Sequence, residues 1–393
     1  MMHIKSLPII ALITTGRTGS DFLQSLLDSH KQILTFNGHF AVYSEFFSHI
    51  DTSSIDFKNL EEIADKFISK YIYKLISRYD IQEAKDRLGV NSDEFIDIDT
   101  NEFKNHLIGF LTEHDINSHN FLLAVYGAYN LCLNRNIEDT KIIFHHPHLD
   151  YEFKLFYKDF PKTKIIFTTR DPRANFCSHV EHFRQYYPSH DNQQHLFNCL
   201  KMILEDSELA QKLDIEYTAV RLEDLPREDI MRELAKWLNV EYQESLLRST
   251  WAGLDWHGDR ISQKTFKSIG WSKDRSENNW QNRLGKMEQY IFNLIINDRL
   301  KKYRYDFKLL SLLDFILIAF LILCPFKYER RFFSPKYLWS VLCSGNRIMY
   351  FQLLLTPLYY LKRIMICYCY YFRTLKGIKF EVKYIRSSIT NNL

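Results

Sequence analysis

The chain contains 393 residues, of which 46% are hydrophobic, and its 51 basic and 48 acidic side chains give a formal net charge of +3. This length and composition allow one large hydrophobic core with residues to spare. The seven cysteines are scattered and lack the spacing of zinc ligands, so they predict reduced thiols in a cytoplasmic compartment. Residues 1–7, before the first predicted strand, contain no arginine-rich or signal-type apolar segment, so we expect neither a cleaved signal peptide nor an N-terminal anchor.

The first predicted element is a buried strand over residues 9–13, which runs into a loop with two glycines and an arginine. Helical spacing of apolar residues begins at Phe22. At such a junction, backbone N–H groups and the positive end of the helix dipole can hold an anion. Gly16 and Gly19 are three residues apart with no lysine after the second, which excludes a Walker A loop, and a dinucleotide fingerprint is also absent. The loop is therefore an anion cradle, with Arg17 as its cation.

Residues 55–135 have apolar side chains at helical spacing with acidic residues between them. This pattern predicts a helical insertion over about residues 50–135, which separates the first strand and helix from the later strands. We expect the insertion to cover the acceptor side of the cleft.

A second strand, over residues 163–169, leads directly to Arg170. Pro172 suits the first turn of a helix, and Asp171 is the expected N-cap. Ser178 then follows Arg170 by about two helical turns. Arg170 and Ser178 are therefore predicted to flank one phosphate.

The loop and the Arg170–Ser178 element together resemble the nucleotide sulfotransferase family, of bacterial type and similar to the cytosolic and carbohydrate sulfotransferases. Members of this family carry a 5′-phosphosulfate loop near the N-terminus and a later Arg…Ser element that binds a 3′-phosphate. The resemblance covers roughly residues 8–300. It implies an α/β, P-loop-like sulfotransferase fold, with a central parallel sheet flanked by helices. It also implies 3′-phosphoadenosine 5′-phosphosulfate (PAPS) as the sulfate donor, with no metal.

The resemblance carries over to particular positions of this chain. Arg17 would stabilise the leaving 5′-phosphate, and Phe22 and Trp251 would hold the adenine, with core packing as the alternative role for either ring. Asp21 stands where the family usually has threonine, and we interpret it as a helix-start residue turned away from the phosphate. Lys264, Lys267, Gly270 and Trp271 fall where the family has a basic loop over the 3′-phosphate. The predicted donor-binding residues are Thr15, Gly16, Arg17, Thr18, Gly19, Ser20, Asp21, Phe22, Arg170, Ser178, Trp251, Lys267 and Gly270.

The general base is predicted from a run of histidines just before the second strand. His145 stands two residues before Pro147, as the base does in the cytosolic branch of the family, and it ranks first. His146 ranks second and Glu45 third, because Asn37, at the position of the glutamate in another branch, cannot act as a base. Neutral imidazole is suited to removing a proton from an alcohol. A structural or substrate-binding role for the histidines is the alternative.

The C-terminal region differs in charge and hydropathy from the rest of the chain. Residues 301–393 carry a net charge of +12, and residues 1–300 carry −9. Two apolar runs, 309–326 and 349–372, lie among these basic residues. Asp314 within the first run opposes a membrane span, so the pattern favours helices at a membrane surface. The alternatives are a helical appendage packed on the core or on another subunit, and a true span.

Together these features predict a sulfotransferase domain over residues 1–300 and a basic, hydrophobic, membrane-associating extension over residues 301–393. The predicted reaction transfers a sulfuryl group from PAPS to a hydroxyl of a glycan or glycolipid. The predicted location is cytoplasmic, peripheral on the inner face of an anionic membrane, without a nucleic-acid partner. The alternatives are a P-loop-like kinase that uses ATP and a catalytically silent, membrane-associated nucleotide-binding protein.

Overall fold

The computed structural model describes residues 2–36, 38–48, 60–75, 88–112, 116–148, 150–186, 191–205, 215–258, 280–379 and 383–387. These residues form two compact units. The sheet unit contains the described residues of 2–168, 215–258 and 384–387. The helical unit contains those of 169–205 and 280–383.

A five-stranded parallel sheet lies at the centre of the sheet unit. Its strands are β1 (Ile9–Ile13), β2 (Ile33–Thr35), β3 (Ile142–His148), β4 (Lys164–Thr169) and β5 (Tyr217–Arg221). The strand order is β2-β3-β1-β4-β5, and Ile10 pairs with Phe144 on one side and with Lys164 on the other. Every side chain of β1 is buried, as expected of a central parallel strand covered on both faces. The predicted α/β fold class, with a parallel sheet flanked by helices and a helical C-terminal region, is confirmed.

The α-helices within the described residues surround this sheet and build the second unit. In chain order they are α1 (Met2–Lys5), α2 (Ser20–Leu27), α3 (Leu60–Leu75), α4 (Thr100–Thr112), α5 (Ser118–Cys132), α6 (Asp150–Asp159), α7 (Pro172–Tyr186), α8 (Gln193–Leu204), α9 (Glu228–Leu238), α10 (Trp280–Arg283), α11 (Lys286–Ile295), α12 (Asn297–Lys302), α13 (Leu312–Leu321), α14 (Pro335–Ser344) and α15 (Arg347–Leu375). A short hairpin, β6 (Thr250–Trp251) and β7 (Leu254–Asp255), completes the sheet unit.

Three helices, α3, α4 and α5, lie between β2 and β3 in the sequence and pack on one another. Asn117 caps α5 by accepting a hydrogen bond from Asn120 N at 2.8 Å. Phe67 of α3 contacts Phe40 and Phe121 edge to face, with ring centroids 6.1 and 5.4 Å apart. These aromatic contacts build the hydrophobic layer that covers one face of β3. The predicted division of the chain into a sulfotransferase domain (residues 1–300) and a C-terminal extension (residues 301–393) stays a prediction.

In the helical unit, the long helix α15 packs against α8 and α11. Arg363 of α15 and Glu329 are almost fully buried and form an ion pair with an N–O distance of 3.0 Å. Arg363 also donates to the carbonyl oxygens of Ile322 and Cys324, so its charge is well compensated. Among the described residues, no helix combines the length and apolar character that crossing a bilayer requires.

Candidate active site

The loop between β1 and α2 has the backbone of an anion-binding turn. Gly16, Arg17 and Gly19 have positive φ angles of 81°, 53° and 88°. Glycine is required at position 19, because a Cβ there would lie 2.5 Å from Leu222 Cδ1, on a backbone that L residues rarely adopt. Gly19 is also the N-cap of α2, and it has no side chain to accept from the first N–H groups of the helix. An anionic group can satisfy those donors.

Threonine hydroxyls hold this loop in place. Thr18 is fully buried, and its Oγ1 lies 2.6 Å from Thr14 Oγ1 and 2.7 Å from Thr168 Oγ1. Gly16 N donates to Thr14 Oγ1 at 2.9 Å, so this N–H is committed to a bond within the loop. Because Thr14 follows β1 and Thr168 belongs to β4, the hydroxyls tie the loop to the ends of two neighbouring strands.

The side chain of Arg17 is half-buried. Its Nε is buried and has no hydrogen-bond partner among the described residues, which fits an anion supplied by a ligand. Ser20 and Phe22 are buried in the first turn of α2, and Asp21 between them is half-buried. The predicted residues 15–22 thus form the loop and the first turn of α2, and their roles in donor binding stay predictions.

His145 lies on the face of β3 that is covered by aromatic side chains. Its ring centroid is 6.1 Å from that of Phe40 and 4.8 Å from that of Phe156, and Tyr126 OH lies 2.8 Å from its Nδ1. Burial lowers the pKa of His145 to about 3. The ring is therefore neutral near pH 7 and binds a proton weakly.

His146 and His148 belong to a hydrogen-bonded chain that begins at Gln24 of α2. Gln24 Nε2 donates to Thr35 Oγ1 at 3.0 Å and to the carbonyl oxygen of Phe36. Gln24 Oε1 lies 3.1 Å from His146 Nδ1, and His146 Nε2 lies 3.1 Å from His148 Nδ1. The chain therefore runs from the interior of the sheet unit to the half-buried ring of His148.

This chain determines which ring nitrogens carry hydrogen. A carbonyl oxygen can only accept, so the bond to Phe36 fixes the amide of Gln24 with Oε1 towards His146. His146 Nδ1 must then donate, and in the neutral ring its Nε2 must accept. His148 Nδ1 is the donor to that nitrogen, which leaves the lone pair of neutral His148 on Nε2.

The backbone places His148 beside the loop. Thr14 N donates to the carbonyl oxygen of His148 at 3.2 Å, where β3 ends next to β1. His148 has a φ of 71°, a left-handed conformation that histidine adopts at a cost of order 1–3 kcal/mol. The ring of His39 lies 4.8 Å from that of His148, between centroids. The histidine cluster and the loop between β1 and α2 are thus joined by a backbone hydrogen bond.

Glu45, the third predicted base, is exposed on a π-helical turn over Tyr43–Phe47. Its Oε2 lies 3.5 Å from Tyr71 OH, and its backbone oxygen accepts from Lys70, both on α3. The turn itself is held by Glu152, which accepts from Tyr43 N and Ser44 N. Asn37 lies outside the described residues.

In the helical unit, Arg170 lies two residues before the first residue of α7, and Ser178 lies about two turns along that helix; both side chains are half-buried. Asp171 caps the helix as predicted, accepting from Arg173 N at 2.9 Å. Arg173 is 2% exposed; it pairs with Asp171 at 2.7 Å and stacks 3.9 Å over the ring of Trp280. These contacts fix the start of α7, which lies between the two predicted phosphate ligands, Arg170 and Ser178.

Trp251 is fully buried in the hairpin of the sheet unit, where its ring meets Trp256 edge to face at 5.5 Å. Core packing accounts for this position, and adenine stacking stays a prediction. Lys264, Lys267, Gly270 and Trp271 lie outside the described residues.

One cluster among the described residues has ligand atoms close enough for a metal ion. Atoms of Glu102, His106 and Cys132 lie within 4.8 Å of one another. Burial raises the pKa of the Cys132 thiol to about 12, whereas the thiolate is the form that binds metals. The cluster therefore carries no metal assignment.

Two residues of the histidine chain were not singled out from the sequence. His148 entered only as a member of the run, and Gln24 did not enter at all. Strand periodicity gives one available signal, because residues 146 and 148 share a face of a strand and residue 145 does not. The contact of Gln24 spans 122 residues and has no local signal.

The sequence model of the sulfotransferase family matches residues 8–244, more than half of the chain. Among solved structures, the chain is similar to the sulfotransferase domain from the curacin biosynthetic pathway. The identity is 14%, over 77% of this chain and 99% of that chain, with a TM-score of 0.39. No curated protein matches the sequence.

Proposed function

The chain belongs to the sulfotransferase family, and we propose that it transfers the sulfuryl group of PAPS to a hydroxyl of a glycan or glycolipid. Membership of the family supports sulfuryl transfer in general, with PAPS as the usual donor. The observation that carries the proposal is the junction in the sheet unit, where the anion-binding turn meets His148. An acceptor linked to lipid is supported by the basic, apolar character of residues 301–379.

In this reaction the acceptor oxygen forms a bond to sulfur while the bond from sulfur to the 5′-phosphate oxygen breaks. Adenosine 3′,5′-bisphosphate leaves with the bonding electrons, and the proton of the acceptor must go to a base. We propose that the guanidinium of Arg17 neutralises the charge that develops on the leaving oxygen. The backbone N–H groups at the start of α2 contribute in the same way.

We propose His148 as the base, ahead of His145, His146 and Glu45. Its Nε2 carries the lone pair, and its Nδ1–H is held by His146, so the ring is oriented before the acceptor binds. When Nε2 takes the proton, the resulting cation donates to His146 Nε2. His146 and Gln24 act as positioning residues, because they set the tautomer and hold the ring.

Arg170 and Ser178 are proposed as ligands of the 3′-phosphate. A guanidinium and a hydroxyl are ordinary phosphate donors, and the buried Arg173–Asp171 pair keeps the start of α7 in place. Their role is separable from that of the turn, because substitutions here should weaken nucleotide affinity more than turnover.

The proposal is tested by incubating the protein with PAPS labelled in the sulfuryl group and a membrane extract, and by identifying the labelled product. Arg17→Ala should lower kcat by about 10²–10³-fold, the usual loss for one donor to a developing oxyanion. Arg232→Ala is the matched control, because Arg232 is an exposed arginine paired with Glu228 on α9. Adenosine 3′,5′-bisphosphate should compete with the donor, and ATP should not.

Absence of a labelled glycan or lipid with the unsubstituted protein would exclude the acceptor class. Competition by ATP, or transfer of its terminal phosphate, would instead favour a kinase. An equal loss in Arg17→Ala and Arg232→Ala would remove Arg17 from the reaction.

A further inference from the structure

The helical unit carries almost all of the exposed large hydrophobic side chains. Within the described residues, all but Val90, Phe95 and Tyr151 of these side chains lie between residues 307 and 378. Monomeric soluble domains rarely leave so much contiguous apolar surface in water. A concentration of this kind indicates a surface that binds something.

The exposed residues follow the geometry of the helices. On α15 they recur at steps of three, four or seven residues, which places them along one side of the helix: Ile348, Phe351, Leu354, Leu358, Leu361, Met365, Phe372 and Leu375. On α13 they include Leu312, Leu313, Ile316, Leu317 and Phe320. Trp339 of α14 is 70% exposed.

Tyrosine hydroxyls of α15 join it to α13 and α14. Tyr371 OH of α15 donates to Phe315 O of α13 at 3.2 Å, and Tyr368 OH donates to Ala319 O at 2.6 Å. Tyr350 OH of α15 donates to Leu342 O of α14 at 2.6 Å. The three helices are therefore neighbours in the helical unit. Their exposed apolar side chains, with those of the adjoining segments, are called here the apolar surface (exposed apolar residues of 307–378).

Exposed basic residues accompany the apolar surface in the same stretch of chain. Between residues 301 and 379, ten lysine and arginine side chains are exposed, whereas Asp306 is the one exposed acidic side chain. The exposed basic residues are Lys301, Arg304, Lys308, Lys327, Arg330, Lys336, Arg347, Lys362, Lys376 and Lys379. A partner that matches this region must therefore offer apolar groups to the hydrophobic side chains and anionic groups to the lysine and arginine side chains.

We propose that the apolar surface docks on an anionic lipid bilayer, with α13, α14 and α15 lying at the interface. Apolar side chains enter the acyl boundary, while lysine and arginine reach the headgroups. Trp339 suits the headgroup level, where indole rings concentrate. A second copy of the chain fits less well, because a two-fold contact through this surface would bring two sets of basic side chains together. This proposal is independent of the sulfuryl-transfer reaction.

The test is flotation of the full chain with vesicles of phosphatidylcholine alone and of equal parts phosphatidylcholine and phosphatidylglycerol. The protein should bind the anionic vesicles far better, and added salt should weaken that binding. Lys362→Glu/Lys376→Glu/Lys379→Glu should reduce partitioning by about 10²-fold or more, at roughly fivefold for each basic residue lost. Leu354→Ser/Leu361→Ser/Met365→Ser should reduce it on both vesicle types.

Val90→Ser is the matched control, since Val90 is 71% exposed but belongs to the sheet unit, and it should bind vesicles as the unsubstituted protein does. Circular dichroism of each variant separates loss of binding from loss of folding. The proposal is overturned if anionic vesicles fail to bind the protein, or if folded variants of the surface bind undiminished. It is also overturned if light scattering shows a dimer that the serine substitutions dissociate, since a second copy would then cover the surface.

Discussion

The two units use buried polar groups in opposite ways. In the sheet unit, Thr14, Thr18 and Thr168 hold the anion-binding turn, and Gln24 and His146 fix the tautomer of His148. These interior bonds end at chemical groups that can meet a ligand. In the helical unit, the polar groups of Arg363, Glu329 and several tyrosines bond to other parts of the same unit. The side chains exposed to solvent on these helices are largely apolar. Buried polar groups therefore support the proposed reactive site in one unit and the proposed apolar docking surface in the other.

The largest expected effect concerns the base in the sheet unit. His148→Gln should lower kcat by about 10²–10⁴-fold, because glutamine can donate to His146 but cannot accept the acceptor's proton. Affinity for adenosine 3′,5′-bisphosphate, measured by calorimetry, should be retained.

His106→Gln is the control for this change, because His106 is a half-buried histidine on α4 beside Glu102. His146→Asn should reduce kcat less than His148→Gln and should leave the affinity for adenosine 3′,5′-bisphosphate unchanged, as expected of a positioning residue. If a folded His145→Phe variant loses transfer while His148→Gln retains it, His145 is the base, as the sequence predicted.

The second prediction addresses the buried ion pair of the helical unit. Arg363→Met should lower the free energy of unfolding by about 3–5 kcal/mol, because Glu329 is left buried without its partner. Arg363→Met/Glu329→Gln should recover part of that loss. The measurement is urea denaturation followed by circular dichroism. Arg232→Met, which breaks an exposed pair with Glu228, should cost about 0–1 kcal/mol; an equal cost at both sites would contradict the packing of α15.

The sequence was sufficient for features that depend on neighbours in the chain. A continuous apolar run followed by Gly16 and Gly19 predicted β1 and the turn, because both depend on local backbone preferences. The same holds for the cap at Asp171 and the helix that begins at Pro172. The fold class followed from such elements taken in order.

Contacts between residues distant in sequence determine which histidine is buried and which side of each C-terminal helix is exposed. The sequence ranked His145 first among the bases, yet burial against Phe40 and Phe156 depends on how the helices between β2 and β3 pack. The apolar runs of the C-terminal region were visible in the sequence. Which side of each helix faces solvent depends on contacts such as Arg363 with Glu329, 34 residues apart.

A third prediction tests the burial of His145 through pH. The folded pKa is about 3 and the ordinary value is 6.5, so between these values the unfolded chain binds one more proton. The free energy of unfolding should therefore fall as pH falls from about 6.5 towards 3, by about 1.4 kcal/mol per pH unit from this group. His145→Phe should remove that contribution, and His106→Gln should not. An unchanged slope in His145→Phe would mean that solvent reaches the ring.

The smallest expected effect concerns the hydroxyl of Thr18, which joins the turn to β4. Thr18→Val keeps the shape of the side chain but leaves Thr14 Oγ1 and Thr168 Oγ1 with fewer partners, at a cost of about 1–3 kcal/mol in unfolding free energy. Thr18→Ser retains the hydroxyl and should stay closer to the original stability. Because the turn is proposed to bind the donor, Thr18→Val should also raise the KM for PAPS more than Thr18→Ser does. If stability falls but the KM for PAPS does not change, the hydroxyl network stabilises the strands and not the donor-binding loop. The proposed link between buried polar groups and the reactive site would then fail at this loop.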